Sequence, residues 1–175
     1  MGGNMKFSLF LFIACWVAHA EDRPSEADIW VERGSAFIQE RDNDHAKDAY
    51  QQALQLDPNN EKAQFGMGLL LFFSCHPRSG VQHLQRATQL PRKDDGHESA
   101  FWLLGLAQRN LGNVESARAA FTQYKAEANA FALRFPFSKE QLSHNLVRAD
   151  KKIAELGNPS KVGNHKNIPD GECAD

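Results

Sequence analysis

The sequence predicts an all-α chain, with three helix pairs stacked as a solenoid and a C-terminal capping helix closing the stack. Three observations carry this. A spacing of 34 residues relates Gly34, Phe37, Ala46, Tyr50, Ala53 and Leu56 to Gly68, Leu71, Gly80, Leu84, Ala87 and Leu90. A period of that length, with these residue types, marks a helix–turn–helix repeat. Helix breakers fall where such a repeat should end, at Asp57-Pro58-Asn59-Asn60 and at Pro91. Near the C-terminus, Leu142, Leu146, Ala149, Ile153 and Leu156 form one apolar stripe on an otherwise charged segment, as the last element of a stacked array requires.

Ser25 is suited to cap a first helix from Glu26 to about Glu40, and Arg41-Asp42-Asn43 turns the chain into a second helix from about Asp44 to Leu56. The next pair spans Glu61–Ser74 and Gly80–Leu90, with Cys75-His76-Pro77-Arg78-Ser79 between them. After the polar stretch Lys93–His97, a fifth helix runs from Glu98 to Leu111. Gly112 fits a left-handed C-cap, and Asn113 caps the sixth helix. Gly105, Ala117 and Phe121 lie 37 positions after Gly68, Gly80 and Leu84. Beyond Phe121 the pattern lapses. Tyr124 stands where a small residue is wanted and no Pro appears until Pro136, which predicts a helix continuing to about Arg134. Ser138-Lys139-Glu140-Gln141 is a capping box for the final helix, 138–156. Residues 157–175, rich in Asn, Pro, Gly and Lys, read as a disordered tail.

Gly34, Gly68 and Gly105 fall inside helices, where Gly costs about 1 kcal/mol against Ala. The spacing assigns them to close approach of a partner helix. Ala46 and Gly80 supply the small surface on that partner, and Tyr50, Leu84 and Phe121 fill the gap beside it. These positions are packing, not chemistry.

Trp30, Gly34, Phe37, Ala46, Tyr50, Ala53, Leu56 and Pro58 together resemble the tetratricopeptide repeat family. The resemblance extends from Ala27 to Tyr124 and takes in the cap helix, with repeats at about 27–60, 61–94 and 98–131. Arg33 departs from the usual Leu. The family implies a right-handed α-solenoid over 21–156, and a non-enzymatic scaffold that holds a protein or peptide partner. It also implies that the first helix of each pair lines a concave side. Val31, Ser35, Ile38 and Gln39 would then face inward from the first pair and Asn110 from the third. The apolar partner-binding groove would be formed by Phe65, Leu69, Phe72, Phe73, Trp102, Leu106 and Arg109. In a competing arrangement the C-terminal helices fold back and fill that groove. Cytosolic co-chaperones of the family grip a C-terminal carboxylate with Lys, Asn and Arg. The matching positions here carry Val31, Ser35, Leu69, Ser99 and Leu103, so that clamp is absent.

A formal charge of −2 and a pI near 6.4 give no basic field for nucleic acid or an anionic membrane. Lys6, the apolar run Phe7–Val17 and Ala18-His19-Ala20 describe a secretory signal peptide over 1–20. Cleavage after Ala20 would export the chain, to the periplasm or outside the cell. Phe12-Ile13-Ala14-Cys15 offers a second reading as a lipoprotein box, with acylated Cys15 tethering the chain to the outer membrane. Only that acylation would bring the protein to a membrane. Cys75 and Cys173 are left as a disulfide or as two thiols. The seven histidines include no pair four apart, and no HExxH, CxxC or phosphate loop occurs. No catalytic site, cofactor, metal or small-molecule substrate is expected. The export signal adds a likeness to small periplasmic tetratricopeptide proteins that assist envelope assembly. A pilot lipoprotein and a self-associating structural protein are the alternatives.

Overall fold

Helices start where a side chain accepts the first orphan N–H groups. The computed structural model describes residues 24–74, 76–91, 98–134, 139–158 and 160. In α1 (Glu26–Gln39), Ser25 Oγ accepts from Asp28 N at 3.1 Å and the Asp28 carboxylate accepts from Ser25 N at 3.3 Å, a reciprocal cap. Asp42 accepts from His45 N to open α2 (Asn43–Leu56), and Asn60 from Ala63 N to open α3 (Glu61–Phe73). α4 (Pro77–Gln89) begins three residues earlier than the expected Gly80. Pro77 sets its own φ for the first helical position and has no N–H to leave unpaired. α5 (Glu98–Asn110), α6 (Val114–Arg134) and α7 (Lys139–Glu155) complete the order, and no strand occurs among the described residues.

Two equivalent turns link the helices of the first and third pairs. Arg41 (φ 63°) and Gly112 (φ 73°) occupy the left-handed region, as expected for Gly112. In each turn the next residue reaches back to a carbonyl of the last helical turn: Asp42 N to Phe37 O and Asn113 N to Gln108 O, both 2.9 Å. The Asn113 side-chain amide also donates to Gln108 Oε1 at 2.8 Å.

Packing is densest within the pairs α1–α2, α3–α4 and α5–α6. Each second helix also meets the next helix in the chain, and α1, α3 and α5 touch in sequence, so the pairs stack as a solenoid. The mid-helix glycines explain the spacing. A Cβ on Gly34 would lie 2.7 Å from the Tyr50 ring, one on Gly68 2.7 Å from Leu84 Cγ, and one on Gly105 2.6 Å from the Phe121 ring. Phe121 and Leu84 are fully buried. α3 lies between two clusters of the core. Met67 and Leu70 join Val31, Ala46, Tyr50 and Ala53, whereas Phe65, Leu69 and Phe72 pack against Val81, Leu84, Leu103 and Leu104. This is why the segment is apolar nearly all round.

α7 lies against α6. Leu156 joins Phe121 and Ala117 in a third cluster, with Ile153, Trp102 and Leu106 packed around them. Lys125 of α6 and Asp150 of α7 form an ion pair at the rim of this contact. No described helix is long and apolar enough to cross a membrane. The signal segment, Cys15, Cys75, Cys173, Ser138 and nearly all of the expected disordered tail fall outside the described residues.

Candidate interaction groove

α1 and α3 run side by side and leave a cavity of about 310 Å³ between them. Val31, Ser35, Ile38 and Gln39 line it from α1, and Lys62, Phe65, Gly66 and Leu69 from α3. Tyr50 of α2 is its floor. The Tyr50 ring is clamped: a Cβ on Gly34 would approach it to 2.7 Å and one on Gly66 to 2.4 Å, so both helices need glycine beside it. The ring is 3% exposed. Its hydroxyl is 3.3 Å from Ser35 Oγ, and either can donate. Burial raises the phenol above its ordinary pKa, and the Ser35 contact lowers it by less. The hydroxyl therefore stays protonated at neutral pH, a neutral donor and acceptor on a mostly apolar floor.

The groove residues singled out in the sequence divide into two groups. Phe65 and Leu69 line the cavity. Phe72 is half-buried beside them and packs toward the second cluster. Phe73 is 72% exposed at the end of α3, its ring set edge-on to Phe72 at 5.1 Å. Trp102 and Leu106 lie in the third cluster, with Ile153 of α7 and Leu156 just after it. The Trp102 ring is 5.2 Å from both Phe121 and Tyr124, and the Arg148 guanidinium of α7 lies 4.6 Å from its centroid. Arg109 Nη2 donates to Asn110 Oδ1 at 3.2 Å. Its charge is the weakest of the influences that lower the Glu155 pKa, of which the Lys152 hydrogen bond is the largest.

The cavity takes in the part of the expected groove that lies on α1 and α3. Over the third pair, α7 packs on Trp102 and Leu106. The lapse after Phe121 supplies the reason. Tyr124, buried where a small residue was wanted, adds an aromatic wall against Trp102. α6 runs on to Arg134, and its side carries the Lys125 contact to α7.

Three contributors were not picked out from the sequence. Gly66 stands two positions before the repeat glycine, and only the tertiary structure shows Tyr50 against it. The one available signal was the doublet Gly66-Met67-Gly68, two glycines where one repeat position explains one. Asn60 is 2% exposed; it caps α3 and donates from Nδ2 to Asp28 Oδ1 at 2.9 Å, tying the start of the second pair to the first turn of α1. Arg148, on the charged face of the cap helix, gave no sign of its stacking on Trp102. Among the described residues no group of three or more His, Cys, Asp or Glu could hold a metal ion.

Residues 27–60 match the family model of the tetratricopeptide repeat. The first helix pair, α1 and α2, is thus similar to a tetratricopeptide repeat. The fold of the chain is similar to the crystal structure of the Sgt2 tetratricopeptide domain from Aspergillus fumigatus, with a TM-score of 0.59 at 19% identity over 87% of this chain and 90% of that one. No curated protein matches the sequence. Tetratricopeptide domains bind protein or peptide partners and typically act as scaffolds without catalysis.

Proposed function

We propose that this protein is a non-enzymatic tetratricopeptide scaffold of an exported compartment, and that it holds an apolar segment of a partner protein between α1 and α3. The observation that carries the reading is the cavity over Tyr50. It has aliphatic and aromatic walls from Val31, Ile38, Phe65 and Leu69, and polar side chains from Ser35 and Gln39 at its edge. Pockets of this kind take anchor side chains, because burying the anchor supplies affinity while a few polar groups set its direction. Phe72 and Phe73 continue the apolar surface along α3 and would extend the contact beyond one side chain. The exported setting rests on Lys6, the run Phe7–Val17 and Ala18-His19-Ala20. Assembly of envelope complexes, in the periplasm of a Gram-negative cell, is the role this combination supports best. The pilot lipoprotein rests on Phe12-Ile13-Ala14-Cys15. An intact mass beginning at Glu21, against an acyl adduct on Cys15, separates the two.

The groove is tested by cross-linked capture from envelope extract. Ser35 is exposed at the cavity's edge, so Ser35→Trp fills the cavity while leaving its apolar walls in place. A partner retained by the unaltered chain should be lost by Ser35→Trp with helicity unchanged. Retention of the same partner by a folded Ser35→Trp protein would place binding outside the cavity.

A further inference from the structure

The two ends of the solenoid are finished differently. At the C-terminal end Ile153 of α7 and Leu156 just after it turn inward, and α7 leaves Glu140, His144, Asp150 and Lys151 exposed, as a polar cap does. At the other end α1 and α2 line a cavity of about 650 Å³ with Trp30, Arg33, Phe37, His45, Asp48 and Gln52, and no residue of α3 contributes. Val31, Ser35 and Tyr50 border α3 instead, so this cavity lies on the side of the first pair turned away from the stack. Its centre is aromatic. Trp30 and Phe37 are half-buried, and no described helix covers them.

Charge sets what this face can accept. Arg33, in place of the Leu usual in the family, lies with its guanidinium 4.6 Å from the Trp30 ring centroid. Asp48 lines the same cavity from α2. Neither makes an ion pair among the described residues. The face thus carries Arg33 on one helix and Asp48 on the other, neither in an ion pair, with Trp30 and Phe37 between them and His45, held by Asp42, at its edge. The two stand at similar heights, because Gly34, next to Arg33, meets the ring of Tyr50, two residues from Asp48. A two-fold axis through the seam of α1 and α2 would bring Arg33 of each copy to Asp48 of the other and bury Trp30 and Phe37 between them.

We propose that this end face binds a second copy of the chain as an isologous two-fold dimer, closed by two reciprocal Arg33–Asp48 pairs. A face that bears both signs about an apolar centre is complementary to itself, and a closed two-fold contact consumes it without leading to a filament. The outer face of α7, polar apart from Val147, gives the apolar end no aromatic counterpart for head-to-tail growth. The dimer leaves the cavity between α1 and α3 open, so the inference stands or falls independently of the proposed function.

The test is sedimentation equilibrium of the full chain, beside the chain starting at Glu21, which keeps every described helix. Both should be dimeric. Arg33→Glu and Asp48→Lys should each weaken the dimer at least about tenfold, since each sets like charges opposite one another. The double variant Arg33→Glu/Asp48→Lys should recover to within about threefold of the unaltered chain, because the reciprocal pairs re-form with signs exchanged. Both residues are exposed, so helicity should not change. A monomer at all concentrations overturns the proposal. So does a dimer indifferent to both single reversals, which would put the interface elsewhere. A dimer seen only without residues 1–20 also overturns it, because the N-terminal segment would then be the occupant of this face.

Discussion

Adding one methyl group at Gly66 should destabilise the protein, although Gly→Ala inside a helix ordinarily stabilises it. The ordinary gain is about 1 kcal/mol, from backbone entropy. At Gly66 the new Cβ would lie 2.4 Å from Tyr50 Cζ and 2.5 Å from Cε1, about 1 Å short of ordinary van der Waals contact. The ring cannot swing aside. Gly34 meets its other side at 2.7 Å, and Ser35 lies at its hydroxyl. Relief must come from separating α1 or α3 from α2. Overpacking of this kind costs about 3 kcal/mol at the upper end of its usual range. The net expectation for Gly66→Ala is a loss of about 2 kcal/mol, or a fall in Tm of roughly 4–8 °C for a chain of this size. Urea unfolding followed by helicity measures it, and the decisive experiment is a double-mutant cycle with Tyr50→Leu. Once the ring is gone, Gly66→Ala should be neutral or stabilising, giving a coupling of about 2–3 kcal/mol. A stabilising Gly66→Ala in the unaltered chain, or a coupling near zero, would refute the clamp and with it the account of why both helices carry glycine there.

The geometry leads to three further outcomes. Asn60→Ala should cost about 2 kcal/mol in urea unfolding, because a helix cap and a buried bond to Asp28 are lost together; Asn60→Asp keeps the cap acceptor but faces the Asp28 carboxylate and should do no better. Arg41→Gly should stabilise by about 0.5–1 kcal/mol, seen as a higher Tm, since Arg41 occupies the left-handed region at φ 63° that Gly adopts without a Cβ clash. Ile153→Asp should release α7, with hydrogen exchange accelerating through 139–155 and around Trp102 while α1 to α4 keep their protection; uniform loss across the chain would instead mean that α7 and the repeats unfold as one unit.

The repeat itself was legible because its constraints are local and periodic. Gly34, Gly68 and Gly105 are unexplained as helix formers, and their spacing relative to Tyr50, Leu84 and Phe121 left close helix crossing as the reason. Capping obeyed the same logic, since Ser25 and Gly112 act within a few residues of themselves. The helix boundary at Pro77 was less legible: Gly80 packs as expected, 3.1 Å at its Cβ position from the Gly68 carbonyl oxygen, but it lies inside α4 and not at its start.

The candidate groove was legible only in part. Periodicity assigns a residue to a face of its helix, and that sufficed to group Val31, Ser35, Ile38, Phe65 and Leu69. What lies on a face depends on where the chain goes next. Nothing local in Trp102 or Leu106 distinguishes an open wall from one covered by a later helix, because both demand apolar residues. The length of α6 and the stripe of α7 were each readable, but their meeting on Trp102 was not.

The sequence by itself determined the helices, the repeat and the apolar character of α3, since these arise from backbone propensity and from burial repeated at a fixed period. Only the tertiary structure decided that Tyr50 is held between two glycines of different repeats, that Arg148 of α7 stacks on Trp102, and that Arg33 and Asp48 share one end face that no described helix covers. Those are contacts between elements far apart in the chain, and their free energy depends on distances that no local pattern encodes.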